Sequence, residues 1–222
     1  MSGWIIACGL KREAALIAKA HPGLRIVAGG GDSARLEHEL DAHVRQHRAP
    51  ILSCGISGAL LSSLRTGDIV LDGDAALVAR LHEALPLAVI GAVTGRDAIA
   101  GTVADKQVLH AATGALAVDM ESHVAARVAS RHALPFAAVR VTSDEAKDGL
   151  PPAALVGMKP DGGMALGAVL LSLARRPAQL PALIRTGRQA GIAFGELARV
   201  HDMLGRAGIL RLDLGQLALD MA

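Results

Sequence analysis

AVDMESHVAARVASRHALPFAAVRVTSD, residues Ala117–Asp144, is the stretch that decides how this chain is built. An apolar run closes at Asp119. Glu121 then opens a segment, to His132, whose apolar residues Val124, Ala125, Val128 and Ala129 recur at helical spacing. A second run, Phe136–Thr142, reads as a strand, and Asp144 follows it. Glu121 and Asp144 thus fall at the carboxyl ends of two probable strands joined by one helix and can converge on one crevice, where open α/β sheets bind ligands. One carboxylate of such a pair can hold a sugar while the other handles a proton.

The same alternation runs outward. Strands are predicted at Trp4–Cys8, Leu24–Ala28, Pro50–Ser53, Ile69–Leu71, Leu87–Val93 and Ala115–Asp119, and helices at Lys11–Ala20, Ala34–Arg48, Ala75–Ala84 and within Thr102–Gly114. Asp32 or Ser33 suits the cap of the helix from Ala34. Asp148–Gly163 reads as a Gly- and Pro-rich loop, either a lid or a long connection. A helix at Met164–Ala174 and a last amphipathic stretch of about twenty residues follow. The expected fold class is α/β, a three-layer sandwich with a central mixed, mostly parallel sheet, in one domain over residues 1–222.

Composition narrows the function. With 51% apolar and 20% charged residues the chain is globular. A net charge of +2 without a Lys/Arg cluster, and only two Phe, one Trp and no Tyr, argue against nucleic acid as partner. Cys8 and Cys54 sit in apolar runs and read as buried free thiols. No signal segment opens the sequence and no apolar run approaches membrane-span length, so a cytoplasmic location is expected, with a peripheral membrane contact left open by the high hydropathy. The histidines show no HExxH or Cys/His spacing, so no metal site is read. On an ideal helix His123 points away from Glu121.

VDMES at Val118–Ser122 and LPFAAVRVTSDEA at Leu134–Ala146 resemble the purine nucleoside phosphorylase and methylthioadenosine/adenosylhomocysteine nucleosidase superfamily. SCGISGALLSSLRTGDIVL, Ser53–Leu71, resembles that family's glycine-rich substrate loop and following strand, and IIACGLKREA from Ile5 its first strand and loop. ATGALAVDMES (Ala112–Ser122) and RRPAQLPALIR (Arg175–Arg185) are most similar to the hopanoid-biosynthesis-associated phosphorylase branch.

The resemblance implies an enzyme that cleaves a purine N-glycosidic bond, releasing adenine from adenosylhopane. The alternatives are a methylthioadenosine/adenosylhomocysteine hydrolase and a nucleoside-binding module that has lost catalysis. Such cleavage develops positive charge on the ribose and negative charge on the leaving base. The resemblance makes Asp144, paired with Ser143, the acid at purine N7, a task that near neutral pH needs burial to keep the proton on. It makes Glu121 the ribose-hydroxyl ligand and Met120 a packing surface for the ribose. Glu13 matches the acid that orients an attacking water. Read alone, Asp144 is equally a turn residue, Glu121 a first-turn helix glutamate, and Glu13 a solvated charge beside Lys11 and Arg12. Asp119 reads as a cap for the next helix.

Gly55, Ser57 and Gly58 suit a loop that brings backbone N–H groups to a ligand, although Ile56 stands where many relatives have Ser. Gly29–Gly31, Gly30 at their centre, read either as a strand-to-helix turn or as a phosphate cradle with Arg35; Arg12 and Arg65 are further phosphate candidates. No cofactor is expected, with phosphate the one co-substrate under consideration. The apolar 164–174 helix reads as core or as a lining for a lipid-linked 5′ substituent. The family implies a homodimer or higher homo-oligomer.

Overall fold

The longest strand pairing builds the site. In a computed structural model that describes residues 3–156 and 165–211, β3 (Ile51–Ala59) and β8 (Phe136–Asp144) run parallel at the centre of the sheet. β1 (Ile5–Cys8) flanks β3 in parallel, and β2 (Arg25–Ala28) flanks β1. β4 (Ile69–Gly73) lies antiparallel to β8 and carries the short β5 (Val89–Ile90). The far end of β3 also pairs antiparallel with β7 (Ala117–Asp119), itself parallel to β6 (Val93–Gly95). The result is the expected mixed, mostly parallel sheet with helices on both faces.

Alternation assigns each strand's side chains. Ile6, Cys8, Leu52, Cys54, Val139 and Val141 face one layer, packed with α1 (Lys11–Ala20), α3 (Ala75–Ala84) and α8 (Leu180–Arg206) through Ile17, Leu77, Leu81, Phe194, Leu197 and Val200. Ile5, Ala7, Val27 and Ile51 face the other, closed by Leu36, Leu40 and Val44 of α2 (Ser33–Gln46) and Val124 and Val128 of α5 (Ser122–Arg131). Strands buried on both faces explain the near-continuous apolar runs of the sequence.

Local chemistry sets the helix ends. Asp32 caps α2, its side chain accepting from the Arg35 N–H at 2.9 Å. α4 (Val103–Thr113) opens with a reciprocal box between Thr102 and Asp105 and ends on Gly114, at φ 67°.

Three expectations change. Gly55–Gly58 is strand, not loop, because β3 continues six residues beyond Ser53 between β8 and β7. Leu87–Val93 divides into β5 and β6, which pair with different partners. The loop after Asp148 contains a single turn, α6 (Pro152–Leu155), and then α7 (Leu166–Arg175). The remainder of the expected loop, and Met164, lie outside the described residues. Cys8 and Cys54 are buried free thiols, and burial pushes both thiol pKa values up, that of Cys54 to about 12.

Candidate active site

Four strand ends meet at one edge of the sheet. β1 delivers Gly9 and, one turn into α1, Glu13; β3 delivers Gly55–Gly58; β7 delivers Asp119 and Glu121; β8 delivers Arg140, Ser143 and Asp144. Glu13 is not a solvated helix charge: it is 2% exposed. Its Oε2 accepts from the N–H groups of Gly9 (2.9 Å) and Leu10 (2.8 Å), and its Oε1 from that of Ile56 (2.8 Å). Burial pushes its carboxyl pKa up, while those three N–H donors and the Arg140 charge hold it back. A carboxylate has about four acceptor sites, so three such bonds leave one for a further donor.

Glu121 stands at the N-cap of α5, yet its side chain makes no capping bond. It turns inward and is 12% exposed, with Oε2 4.0 Å from Arg140 Nη2. Burial pushes its pKa to about 8; Arg140 opposes the shift, and the neighbouring charges of Asp119 and Glu13 add to it. Two glycines make room for these acids. A Cβ on Gly9 would stand 2.2 Å from Glu121 Oε1, and one on Gly55 2.6 Å from both Glu13 Oε1 and Arg140 Nη1. Met120, beside Glu121, is half-buried.

Arg140 is the centre that the sequence reading missed. It is fully buried, ion-paired through Nη2 to Asp119 and hydrogen-bonded to Ser53 Oγ. Burial works against its charge, but Asp119, Glu121 and Glu13 outweigh that, so its pKa is raised. Asp119 also accepts from Ser122 Oγ at 2.6 Å and from its N–H at 3.2 Å, so the expected capping role holds alongside the ion pair. Arg140 Nε and Nη1, Ser57 Oγ and Thr142 Oγ1 are buried without a partner among the described residues. Such groups are what a bound water or ligand would satisfy.

Asp144 ends β8 where the pairing with β3 slips: Ser57 pairs with Thr142, but Gly58 pairs with Asp144. The extra residue, Ser143, bonds Ser57 O at 3.1 Å and Asp144 Oδ1 at 2.7 Å. Bulges of this kind re-aim a side chain. The second residue missed by the sequence reading is Lys106 of α4, 1% exposed, whose Nζ contacts Asp144 Oδ2. Its other donors reach Glu145 O at 2.8 Å and Asp148 O at 3.0 Å. Burial alone was expected to tune Asp144; the structure adds a buried ammonium in contact with it. Lys106 breaks the apolar period of a surface helix, and that was the one available signal.

The phosphate candidates are engaged with groups of the protein itself. Arg35 Nη2 is bonded to Ala28 O (3.1 Å) and Gly29 O (2.6 Å), closing the end of β2. The Gly30 N–H donates to Gly9 O, so Gly29–Gly31 serve as a turn. Arg12 lies over the Phe194 ring at 4.0 Å, and Arg65 bonds Ser62 O at 2.8 Å. His123 bonds Asp97 at 3.0 Å, as its angle around the helix implied. No His/Cys/Asp/Glu group among the described residues could hold a metal. Two surface depressions, one lined by His21, His201 and Gly205 and one by Gly73, Ile90 and Ala92, contain none of the groups above.

Solved structures share this architecture. The futalosine hydrolase of Helicobacter pylori superposes with a TM-score of 0.64 at 13% identity, over 91% of this chain and 97% of that one. A 5′-methylthioadenosine/S-adenosylhomocysteine nucleosidase from Colwellia psychrerythraea, in complex with adenine, gives 0.63 at 17%, over 93% and 96%. That of Campylobacter jejuni gives 0.59 at 14%, over 90% and 100%. No curated protein matches the sequence. These likenesses overturn the expected hopanoid branch and adenosylhopane substrate: solved structures that share the fold include methylthioadenosine/adenosylhomocysteine nucleosidases and futalosine hydrolase. The two stretches behind that expectation, Ala112–Ser122 and Arg175–Arg185, are short and fall largely on a helix end, a strand and a surface turn. Residues 71–173, somewhat less than half of the chain, match the family described as the phosphorylase superfamily, and the chain shares the fold of the nucleosidases above.

Proposed function

We propose that the chain hydrolyses the N-glycosidic bond of a methylthioadenosine- or adenosylhomocysteine-type nucleoside. The observation that carries this reading is Glu13. It is an acid buried at the foot of the site, fixed by three backbone N–H groups, beside Arg140 and Glu121. Its remaining acceptor site suits a water that must be oriented and deprotonated as it attacks the sugar. Glu121 accepts the ribose hydroxyls, and Met120 packs against the ring. As the bond lengthens, Glu13 and Glu121 stabilise the developing positive charge on the ribose. Asp144, positioned by Ser143 and Lys106, serves the leaving base at N7. Gly55, Ser57 and Gly58 lie along the strand edge that borders the ligand, Ser57 with its hydroxyl unengaged. Water is preferred to phosphate because Gly30 and Arg35 are committed to the backbone at the end of β2. We place the enzyme in the cytoplasm as a homo-oligomer, which sedimentation velocity tests.

The deciding experiment is adenine release from methylthioadenosine and adenosylhomocysteine, with and without phosphate. Release of adenine and a free thiopentose at a rate indifferent to phosphate is expected. A phosphate requirement with a sugar-1-phosphate product would replace hydrolysis by phosphorolysis. Adenine binding without turnover of either nucleoside would leave a binding module.

A further inference from the structure

α7 is built inside out. A surface helix ordinarily turns its apolar stripe inward. Here no residue of α7 is buried, and its outer stripe is Leu166, Leu170 and Leu171, exposed by 65%, 66% and 52%. α8 continues the pattern in its first half, where Leu180, Ile184 and Ile192 are exposed by about half. These helices do not hang free. Gln179, in the 3-10 turn Pro177–Gln179 between them, donates to Ser172 O (2.7 Å) and Ser172 Oγ (3.0 Å) of α7 and accepts from the Ala153 N–H (2.9 Å) of α6. One glutamine thus ties three helices into a unit with its leucines facing out. Apolar area held outward on a fixed scaffold marks a docking face.

Charge identifies the occupant. Residues 165–195 contain four arginines, Arg175, Arg176, Arg185 and Arg188, and no Asp, Glu or Lys. All four are exposed. Arg185 also lies 3.8 Å from Asp148, a buried acid of the preceding loop. A second copy meeting this face symmetrically would set arginines against arginines, with no acid in the segment to neutralise them. Leucines between exposed arginines match a lipid surface instead: the leucines enter the acyl boundary and the guanidinium groups meet anionic headgroups. Among the described residues no helix is long and apolar enough to cross a membrane, so the contact is peripheral. We propose that the α7–α8 face docks on an anionic phospholipid surface.

The test is co-sedimentation of the full chain with vesicles of phosphatidylcholine alone and with about 30 mol% phosphatidylglycerol. Binding to the anionic vesicles that weakens with salt is expected. Leu170→Ser with Leu171→Ser should lower the partition coefficient at least about tenfold, since both side chains would enter the lipid. The thermal midpoint should not change, because neither leucine is buried. Arg175→Gln with Arg176→Gln should remove most of the preference for anionic lipid. No binding to anionic vesicles overturns the proposal, as does binding that the leucine variant leaves intact. A dimer that the leucine substitutions disperse, without vesicle binding, would make this a face between copies.

Discussion

Lys106 and Asp144 form a pair whose two halves have separable consequences. Removing one partner of a buried ion pair leaves an uncompensated charge, at a cost of about 3–5 kcal/mol. Lys106→Met is therefore expected to lower the thermal midpoint and to reduce kcat for adenine release, because Asp144 loses the contact that fixes its aim. Asp144→Asn keeps an acceptor for Lys106 but cannot pass a proton to the leaving base, and should cost about 10²- to 10⁴-fold in kcat while also lowering the midpoint, because Lys106 is then the uncompensated charge. Equal kcat for wild type and Asp144→Asn would remove Asp144 from the chemistry. Glu121 gives a test in pH. With its carboxyl pKa pushed to about 8 in the empty site, kcat/KM should climb as pH rises, reach half its plateau near pH 8 and level off above it, since the ionised form accepts the ribose hydroxyls. Glu121→Gln should lose that limb along with most of its affinity. Arg140 did not announce itself in the sequence, and Lys106 did so only as a break in an apolar period. An arginine in a strand-like run and a lysine in a helix are ordinary residues until the fold buries them.

The elements were legible where pattern and punctuation agreed. α1 and α3 occupy their expected spans, and α4 begins and ends at the capping box and glycine that mark it. β3 was not legible past Ser53, because Gly and Ser are poor strand formers and their extended shape is imposed by pairing on both sides. That strand offers a sharp substitution. A methyl on Gly55 would press on Glu13 and Arg140 together, and both are held in place by buried partners. Gly55→Ala is expected to cut kcat/KM by at least about tenfold while the protein still folds, since side-chain ends move more cheaply than backbone. Full activity in Gly55→Ala would mean that Glu13 need not stand where it does.

Across the molecule, two buried groups oppose one another in pH. His201, on the inner face of α8 against Cys54, has its pKa lowered to about 4 by burial, with a further contribution from His21. It stabilises the fold fully above its ordinary value of 6.5, and that stabilisation, about 3 kcal/mol, is lost as pH falls towards 4. Glu121 acts in the other direction. It binds a proton in the folded chain up to about pH 8 but only to about 4.5 unfolded, so its contribution declines as pH rises between those values. Thermal melts of the ligand-free protein should be nearly level from about pH 4.5 to 6.5, where the two dependences cancel, and fall above that; His201→Gln should leave a midpoint that rises steadily as pH falls towards 4.5, and Glu121→Gln one that drops over the same range. A midpoint unchanged between pH 4.5 and 8 would contradict both. The mostly parallel sheet and its helix layers followed from strand–helix alternation, whereas the strand order, including the antiparallel placement of β4 beside β8, depends on loop paths that no local residue specifies. The slip between β3 and β8 has one further consequence. Side chains along a strand alternate like odd and even numbers, and Ser143 changes the parity just before the last residue. Deleting that single serine would leave every upstream pairing in place yet draw Asp144 back by one residue of chain and strip away the hydroxyl that holds its Oδ1. In this chain the difference between a folded protein and a working one can be one residue of strand length.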